Sequence, residues 1–80
     1  MITLEIPRGK VHEWLWYETG MDQMHAMPEI IDWMATHGWL YNTTWGVRRE
    51  SLTIHDLPVR HHHLWFTQPE QMTAFRLRWA

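Results

Sequence analysis

The sequence contains no cysteine. Disulfides, thiolate metal sites and cysteine nucleophiles are therefore excluded. Because small secreted domains usually depend on disulfides, this absence favours a reducing compartment, and we expect a cytoplasmic protein. The residues from Met1 to Pro7 lack the basic and then apolar order of a signal peptide, and no apolar run is long enough to cross a membrane. We therefore expect a soluble chain that starts naturally at Met1 and has no membrane partner.

Residues that usually carry enzyme chemistry are also scarce. Ser51 is the only serine, and the chain has no glycine-rich loop that could hold a phosphate. The 80 residues predict a single domain over residues 1–80. A domain of this size buries roughly two thirds of its surface, which leaves little room for a deep substrate pocket. We therefore predict that the protein is not an enzyme and binds no cofactor.

Charge of either sign is low as well. Nine acidic residues face seven lysines and arginines, and the formal net charge is −2 with the histidines neutral. This balance argues against nucleic acid as the partner. Aromatic rings with basic neighbours nevertheless suit single strands, so a nucleic-acid-binding accessory protein is the second hypothesis. That hypothesis expects five arginines to converge on one face: Arg48, Arg49, Arg60, Arg76 and Arg78.

Tryptophan, by contrast, is very frequent, with seven residues in a chain of 80. A domain this small cannot hide every ring, and tryptophan, tyrosine and methionine are enriched at the centres of protein interfaces. The alternative is that the rings fill the core, and for any one tryptophan the two interpretations are about equally favoured. The composition therefore indicates a protein that binds another macromolecule.

The spacing of apolar residues in the first half predicts one strand and one or two helices. Residues 2–6 alternate as in a half-buried strand. Residues 10–19 fit a helix or a strand, and we favour a short helix, followed by a loop over residues 20–27. Residues 28–37 predict a helix, because proline suits its first position and Gly38 suits its end.

The second half predicts three further strands and a helix. Residues 39–45 place their aromatic side chains on one face, residues 52–55 pair back, and residues 59–66 form the last strand before a helix. Thr67 and Glu70 have the spacing of a capping box at the start of that helix. The predicted fold class is α+β, a small antiparallel sheet of three to four strands with two or three helices on one face.

Three consecutive histidines, His61, His62 and His63, form the most conspicuous motif. Neighbouring strand residues point to opposite faces, so only His61 and His63 could share a metal ion, with His55 across a hairpin. No cysteine and no ligand pair at helical spacing supports such a site, and we predict a polar strand face and no metal. A histidine-rich, metal-binding regulatory domain is the third hypothesis.

The last predicted strand also yields a candidate binding surface. If Leu64 and Phe66 point to the core, the residues between and before them point outward. The aromatic side chains of residues 39–45 share one face of another strand, which we expect to be the same outward face. The predicted interaction surface comprises Trp39, Tyr41, Trp45, Arg48, Arg49, His61, His63 and Trp65.

The end of the chain resembles that of many small, uncharacterised proteins of tailed bacteriophages. Phe66 to Trp79 has the sequence FTQPEQMTAFRLRW. Those proteins close with a strand, a polar or acidic helix start and a phenylalanine–basic–leucine–basic–aromatic tail, and they begin with a short strand and a tryptophan-bearing helix. The resemblance is close over these residues and holds in outline elsewhere. It implies a phage origin but no defined activity.

Small phage proteins often act by seizing a host protein, such as RNA polymerase, a nuclease or a defence complex. We therefore predict a phage accessory protein for host takeover that binds, and modulates or inhibits, a protein in the host cytoplasm. A homodimer is a further possibility, and nucleic acid is a less favoured partner.

Overall fold

The computed structural model describes residues 1–18 and 23–79, and for residues 16–18, 23, 24, 51 and 52 it describes the backbone alone. Short helices separate one strand and two pairs of consecutive strands along these residues, and a 3-10 turn precedes the first helix. In chain order the elements are β1 (Ile2–Glu5), α1 (Val11–Trp14), β2 (Leu15–Glu18), β3 (Gln23–Ala26), α2 (Pro28–Thr36), β4 (Trp45–Ile54), β5 (Leu57–Phe66) and α3 (Pro69–Arg78).

The strands form two antiparallel sheets. The larger sheet has three strands in the order β1–β5–β4, and the smaller one is the hairpin β2–β3. The prediction of an α+β fold with a small antiparallel sheet is confirmed. None of the helices in the described part of the chain is long and apolar enough to cross a bilayer.

A two-residue turn joins β4 to β5. His55 and Asp56 have φ angles of 51° and 63°, and Ile54 pairs with Leu57 on either side of them. Positive φ at both central residues is typical of a type I′ turn, whose twist matches that of a hairpin. The strands predicted over residues 52–55 and 59–66 therefore lie within the longer β4 and β5, except that His55 belongs to the turn.

Pro58 lies inside β5, opposite Thr53. Pairs in an antiparallel ladder alternate between hydrogen-bonded and non-hydrogen-bonded, and the pair next to a two-residue turn is hydrogen-bonded. The following pair, which contains Pro58, is therefore a non-hydrogen-bonded one. The proline nitrogen points away from β4, so the ladder loses no hydrogen bond.

The hydrophobic core lies on one face of the larger sheet, which we call the inner face. Trp45, Leu64 and Phe66 have no exposed surface there, and Phe75 of α3 packs against Phe66 with ring centroids 5.9 Å apart. Trp14 meets the same Phe75 ring edge-on at 5.3 Å. The other buried apolar side chains come from the remaining elements and their connections: Ile6, Val11, Leu15, Ala26, Ile30 and Met34.

The helix predicted over residues 28–37 is confirmed as α2. Pro28 occupies its first turn, and Gly38 follows it with a φ of 80°, the left-handed conformation that commonly ends a helix. The short helix favoured for residues 10–19 is right only for Val11–Trp14. Leu15–Glu18 is a strand because it pairs with β3, and this pairing outweighs the local helical spacing.

The loop expected over residues 20–27 contains β3 at Gln23–Ala26, whereas residues 20–22 lie outside the described residues. The strand expected over residues 39–45 is wrong. Asn42 has a φ of 61° and its N–H donates to the Trp45 carbonyl at 2.7 Å, so the chain turns there and β4 begins only at Trp45.

Helix α3 begins one residue later than the Thr67–Glu70 spacing predicts. Pro69 takes the first helical turn, so Gln68 is the N-cap and the third helical residue is Gln71. The buried Oε1 of Gln71 accepts the backbone N–H groups of Thr67 at 3.0 Å and of Gln68 at 3.1 Å. The buried Gln71 therefore accepts the Thr67 N–H group that a Thr67–Glu70 capping box assigns to Glu70, and it accepts the Gln68 N–H group as well.

We expect Gln71→Leu to lower the free energy of unfolding by about 1–3 kcal/mol, because two backbone N–H groups lose their acceptor while the buried volume is nearly kept. Urea denaturation followed by circular dichroism measures this loss. Thr73→Leu, at an exposed position of the same helix, is the control and should change stability by less than about 0.5 kcal/mol. Equal stability of Gln71→Leu and the wild type would contradict the assignment.

Candidate functional site

The side chains of the larger sheet that point away from the core form what we call the outer face. The ladder registers place β1, β5 and β4 side by side, and every second residue of each strand shares this face. Its described side chains are exposed or half-buried, in contrast to the enclosed inner face. They belong to Thr3, Glu5, Arg48, Glu50, Ile54, Leu57, Val59, His61, His63 and Trp65.

Charged and imidazole side chains occupy the middle of the outer face. One row across the sheet consists of Glu5, His63 and Arg48, which are direct register partners. The His61 Nδ1–H group donates to Oε1 of Glu5 at 2.9 Å, and Nε2 of His63 lies 3.6 Å from Oε2 of Glu50. The two imidazole rings stack, with centroids 6.3 Å apart and planes at 18°. Each carboxylate is thus beside a different histidine.

The hydrogen bond from His61 is the main reason why the pKa of Glu5 is lowered from its ordinary value. The charges of His61 and His63 add to this effect, and desolvation opposes it. Glu5 is therefore held as a carboxylate on the outer face. Arg48 has no carboxylate within salt-bridge distance in the described part of the chain, although Glu5 and Glu50 lie on the same face.

At one end of the outer face the Trp65 ring lies directly over the backbone of Gly46. A Cβ atom on Gly46 would approach Nε1 of that ring to 2.6 Å, so only glycine fits beneath it. Trp65 itself stays half-buried. A glycine in a strand commonly marks such a close approach, and an aromatic ring that covers it restores packing in the sheet. Trp65 is therefore an aromatic side chain that packs on the Gly46 backbone and remains partly exposed.

At the other end the outer face is apolar. Leu57 is 66% exposed, Ile54 is 46% exposed, and Val59 is half-buried. Strand β1 reaches only the level of His63, with one further hydrogen bond from Ile6 N–H to the His62 carbonyl. The hairpin of β4 and β5 therefore continues beyond β1 as a two-stranded ribbon, and the end of this ribbon exposes apolar side chains.

Four of the eight predicted surface residues come together on the outer face: Arg48, His61, His63 and Trp65. Trp45 does not, because it is completely buried on the inner face, and its place in the predicted surface is wrong. Tyr41 packs against Trp45 at 4.9 Å, and its hydroxyl accepts the Ala26 N–H at 3.0 Å. Desolvation raises the pKa of Tyr41 and outweighs that hydrogen bond.

Trp39 belongs to a separate aromatic cluster at the end of α2. Its ring stacks on His37 at 4.9 Å and meets Trp33 edge-on at 6.4 Å. Trp33 also meets Trp79 of α3 at 6.1 Å and 90°. The Trp33–Trp79 contact links α2 to the end of α3, whereas Trp39 packs on Trp33 and His37 and is not among the side chains of the outer face.

Arg49 points to the inner face, because it neighbours Arg48 on the strand and pairs with His62. Desolvation lowers the pKa of His62, and the positive charges of Arg49 and Arg60 lower it further. Since Arg48 and Arg49 lie on opposite faces, the five arginines of the nucleic-acid hypothesis do not converge. Among the described residues, no three histidine or carboxylate side chains are placed to hold a metal ion together.

The acidic and apolar members of the outer face were not predicted from the sequence. They are Glu5, Glu50, Ile54, Leu57 and Val59. Recognising the two-residue turn would have found most of them, because a turn at residues 55 and 56 sets the register of both strands. Glu5 then follows from the alternation of β1 once β1 is known to pair with β5.

No protein-family model, curated protein or solved structure matches this chain. The bacteriophage resemblance therefore stays a prediction.

We expect Gly46→Ala to lower the free energy of unfolding by about 1–3 kcal/mol, because the added methyl group overlaps the Trp65 ring. In a Trp65→Ala background the same change should cost at least about 1 kcal/mol less, because the overlap is absent. Chemical denaturation of the four proteins of this double-mutant cycle measures the coupling. Strict additivity would show that the ring does not lie on Gly46.

We expect His61→Ala to raise the pKa of Glu5, because the variant loses the hydrogen bond that lowers it. The folded-state pKa is the lowered one, so this contact stabilises the fold above the ordinary pKa of the carboxyl and is lost as the pH falls through the folded value. Carboxyl-carbon NMR titration measures the change, with His12→Ala on α1 as the control. An unchanged Glu5 pKa in His61→Ala would contradict the contact.

Proposed function

We propose that the protein acts by binding another protein through the outer face of its sheet. The observation that carries this proposal is the position of Trp65. Its ring is packed on Gly46 but remains partly exposed, and the neighbouring strand residues Leu64 and Phe66 are fully buried on the inner face. An aromatic ring held rigidly on an open sheet resembles the anchor residues of protein interfaces.

The surroundings of Trp65 also resemble an interface. Tryptophan and arginine are the residues most enriched among those that dominate binding energy, and Arg48 lies next to the Trp65 end of the same face. The exposed Leu57 and Ile54 add an apolar area at the opposite end. A surface with apolar ends and charged side chains between them offers a partner both burial and directional contacts.

The form of the outer face favours a macromolecular partner over a small molecule. Small ligands bind in concave sites that enclose most of their surface, whereas this face is a sheet of three strands continued by a two-stranded ribbon. Its imidazole and carboxylate groups are engaged with one another, as in the His61–Glu5 pair. We take the bacteriophage resemblance to indicate the class of partner, a cytoplasmic host protein that is modulated or inhibited.

An affinity capture from bacterial lysate with quantitative mass spectrometry tests this proposal. Trp65→Ala and Leu57→Asp, at the two ends of the outer face, should each lose the captured partner, and Trp65→Ala should weaken its binding by about 2 kcal/mol, or about 30-fold. Trp39→Ala, a half-buried tryptophan of the other aromatic cluster, is the matched control. Circular dichroism establishes that each variant is folded. Partners retained by both outer-face variants would overturn the proposal.

A further inference from the structure

We propose that a second copy of this chain is the partner that fits the outer face, packed sheet to sheet about a two-fold axis parallel to β5. This inference rests on the proposed function, since the second copy uses the same protein-binding face and would compete there with a host protein. Face-to-face sheets pack about 10 Å apart with their strands within about 30° of each other, which this arrangement allows.

The charges of the central row are self-complementary about such an axis. Glu5 on β1 and Arg48 on β4 are both register partners of His63, so they lie on opposite sides of β5 at the same level. A two-fold axis along β5 exchanges the two sides. It therefore places Glu5 of each copy over Arg48 of the other and forms two equivalent ion pairs.

Arg48 gains most from this arrangement. It is exposed and has no carboxylate within salt-bridge distance in the described part of its own chain. Glu5 already accepts a hydrogen bond from His61 through Oε1, and a carboxylate has further lone pairs that can accept a guanidinium. In the dimer, Arg48 of each copy would face Glu5 of the other, so that opposite charges meet at both positions.

The apolar parts of the outer face also coincide under this axis. Trp65, Val59 and Leu57 all lie on β5, so each comes against the same residue of the second copy. Thr3 and Gly46 flank Trp65 in its row, and neither carries a large side chain that would keep the two indole rings apart. Apolar surface is thus covered by apolar surface at both ends of the interface.

A two-fold axis across the strands fits less well. Centred between His61 and His63, it would place Arg48 over Glu50 of the second copy, which is also an ion pair of opposite charges. It would, however, move β1 of each copy beyond β1 of the other, because β1 reaches only the level of His63. Thr3 and Glu5 would then stay uncovered, so we favour the axis along β5.

The size of the face sets the expected affinity. Ten residues of β5 span about 33 Å, and the sheet is roughly 15 Å wide along the four residues of β1 and roughly 10 Å wide along the two-stranded ribbon, so the face measures on the order of 400 Å² in projection. Stable complexes bury about 800 Å² from each partner. We therefore expect a reversible dimer with a dissociation constant on the order of micromolar.

Charge reversal tests the arrangement. Sedimentation equilibrium of the full chain from about 1 to 200 µM should show a monomer–dimer equilibrium. Glu5→Arg alone and Arg48→Glu alone should each weaken dimerisation at least tenfold, because each places like charges opposite one another. An equimolar mixture of the two variants should dimerise again, because the mixed dimer holds one native Arg48–Glu5 ion pair and one ion pair of reversed sign. Glu29→Arg, at an exposed position of α2, is the control and should dimerise like the wild type.

Several outcomes would overturn the inference. The first is a wild-type chain that stays monomeric at 200 µM, and the second is a single charge reversal that dimerises normally. The third is an Arg48→Glu variant whose dimerisation is restored by mixing with Glu50→Arg and not by mixing with Glu5→Arg. A monomeric wild type whose captured host partner is lost in Trp65→Ala and Leu57→Asp would overturn the dimer while leaving the proposed function standing. A wild-type chain that does not dimerise, and whose captured partners are retained by Trp65→Ala and Leu57→Asp, would overturn both the dimer and the proposed function.

Discussion

The pairing of β4 with β5 is the constraint on which the rest of this structure depends. The two strands pair over ten residues each, and their register is set by the two-residue turn at His55 and Asp56. Side chains alternate along a strand, so a slip of one residue would exchange the inner and outer faces completely. The turn thus determines that Trp45, Leu64 and Phe66 point inward together.

The inner face then organises the helices. Phe75 packs on Phe66 and receives the edge of Trp14, which draws α3 and α1 to the same side of the sheet. Trp33 contacts Trp79 and so links α2 to the end of α3 at the periphery of this core, and Trp39 packs on Trp33. Most of the tryptophans whose side chains are described therefore hold the fold together. The high tryptophan content is therefore explained in part by the small core, which a few large rings fill.

The outer face is the consequence of this one-sided packing. Because the described helices pack around the inner face, the sheet presents its remaining side chains to solvent as a histidine and glutamate cluster between two apolar ends. Trp65 has two roles there, since its ring covers the Gly46 backbone and also offers an accessible aromatic surface. The proposals of protein binding and of a face-to-face dimer both follow from this division of the sheet into a packed and an open side.

The sequence by itself determined the features that depend on neighbouring residues. Strand alternation predicted that Leu64 and Phe66 point opposite to Trp65, and Pro28 with Gly38 predicted the limits of α2, because both patterns arise from local backbone geometry. Only the tertiary structure decided that Trp45 is buried and that Arg48 and Arg49 are separated, because these depend on the left-handed turn at Asn42 and on the register of β4. The row of Glu5, His63 and Arg48 also required the pairing of β1 with β5, which no sequence pattern indicated. Its members are distant along the chain, and only strand pairing brings them side by side.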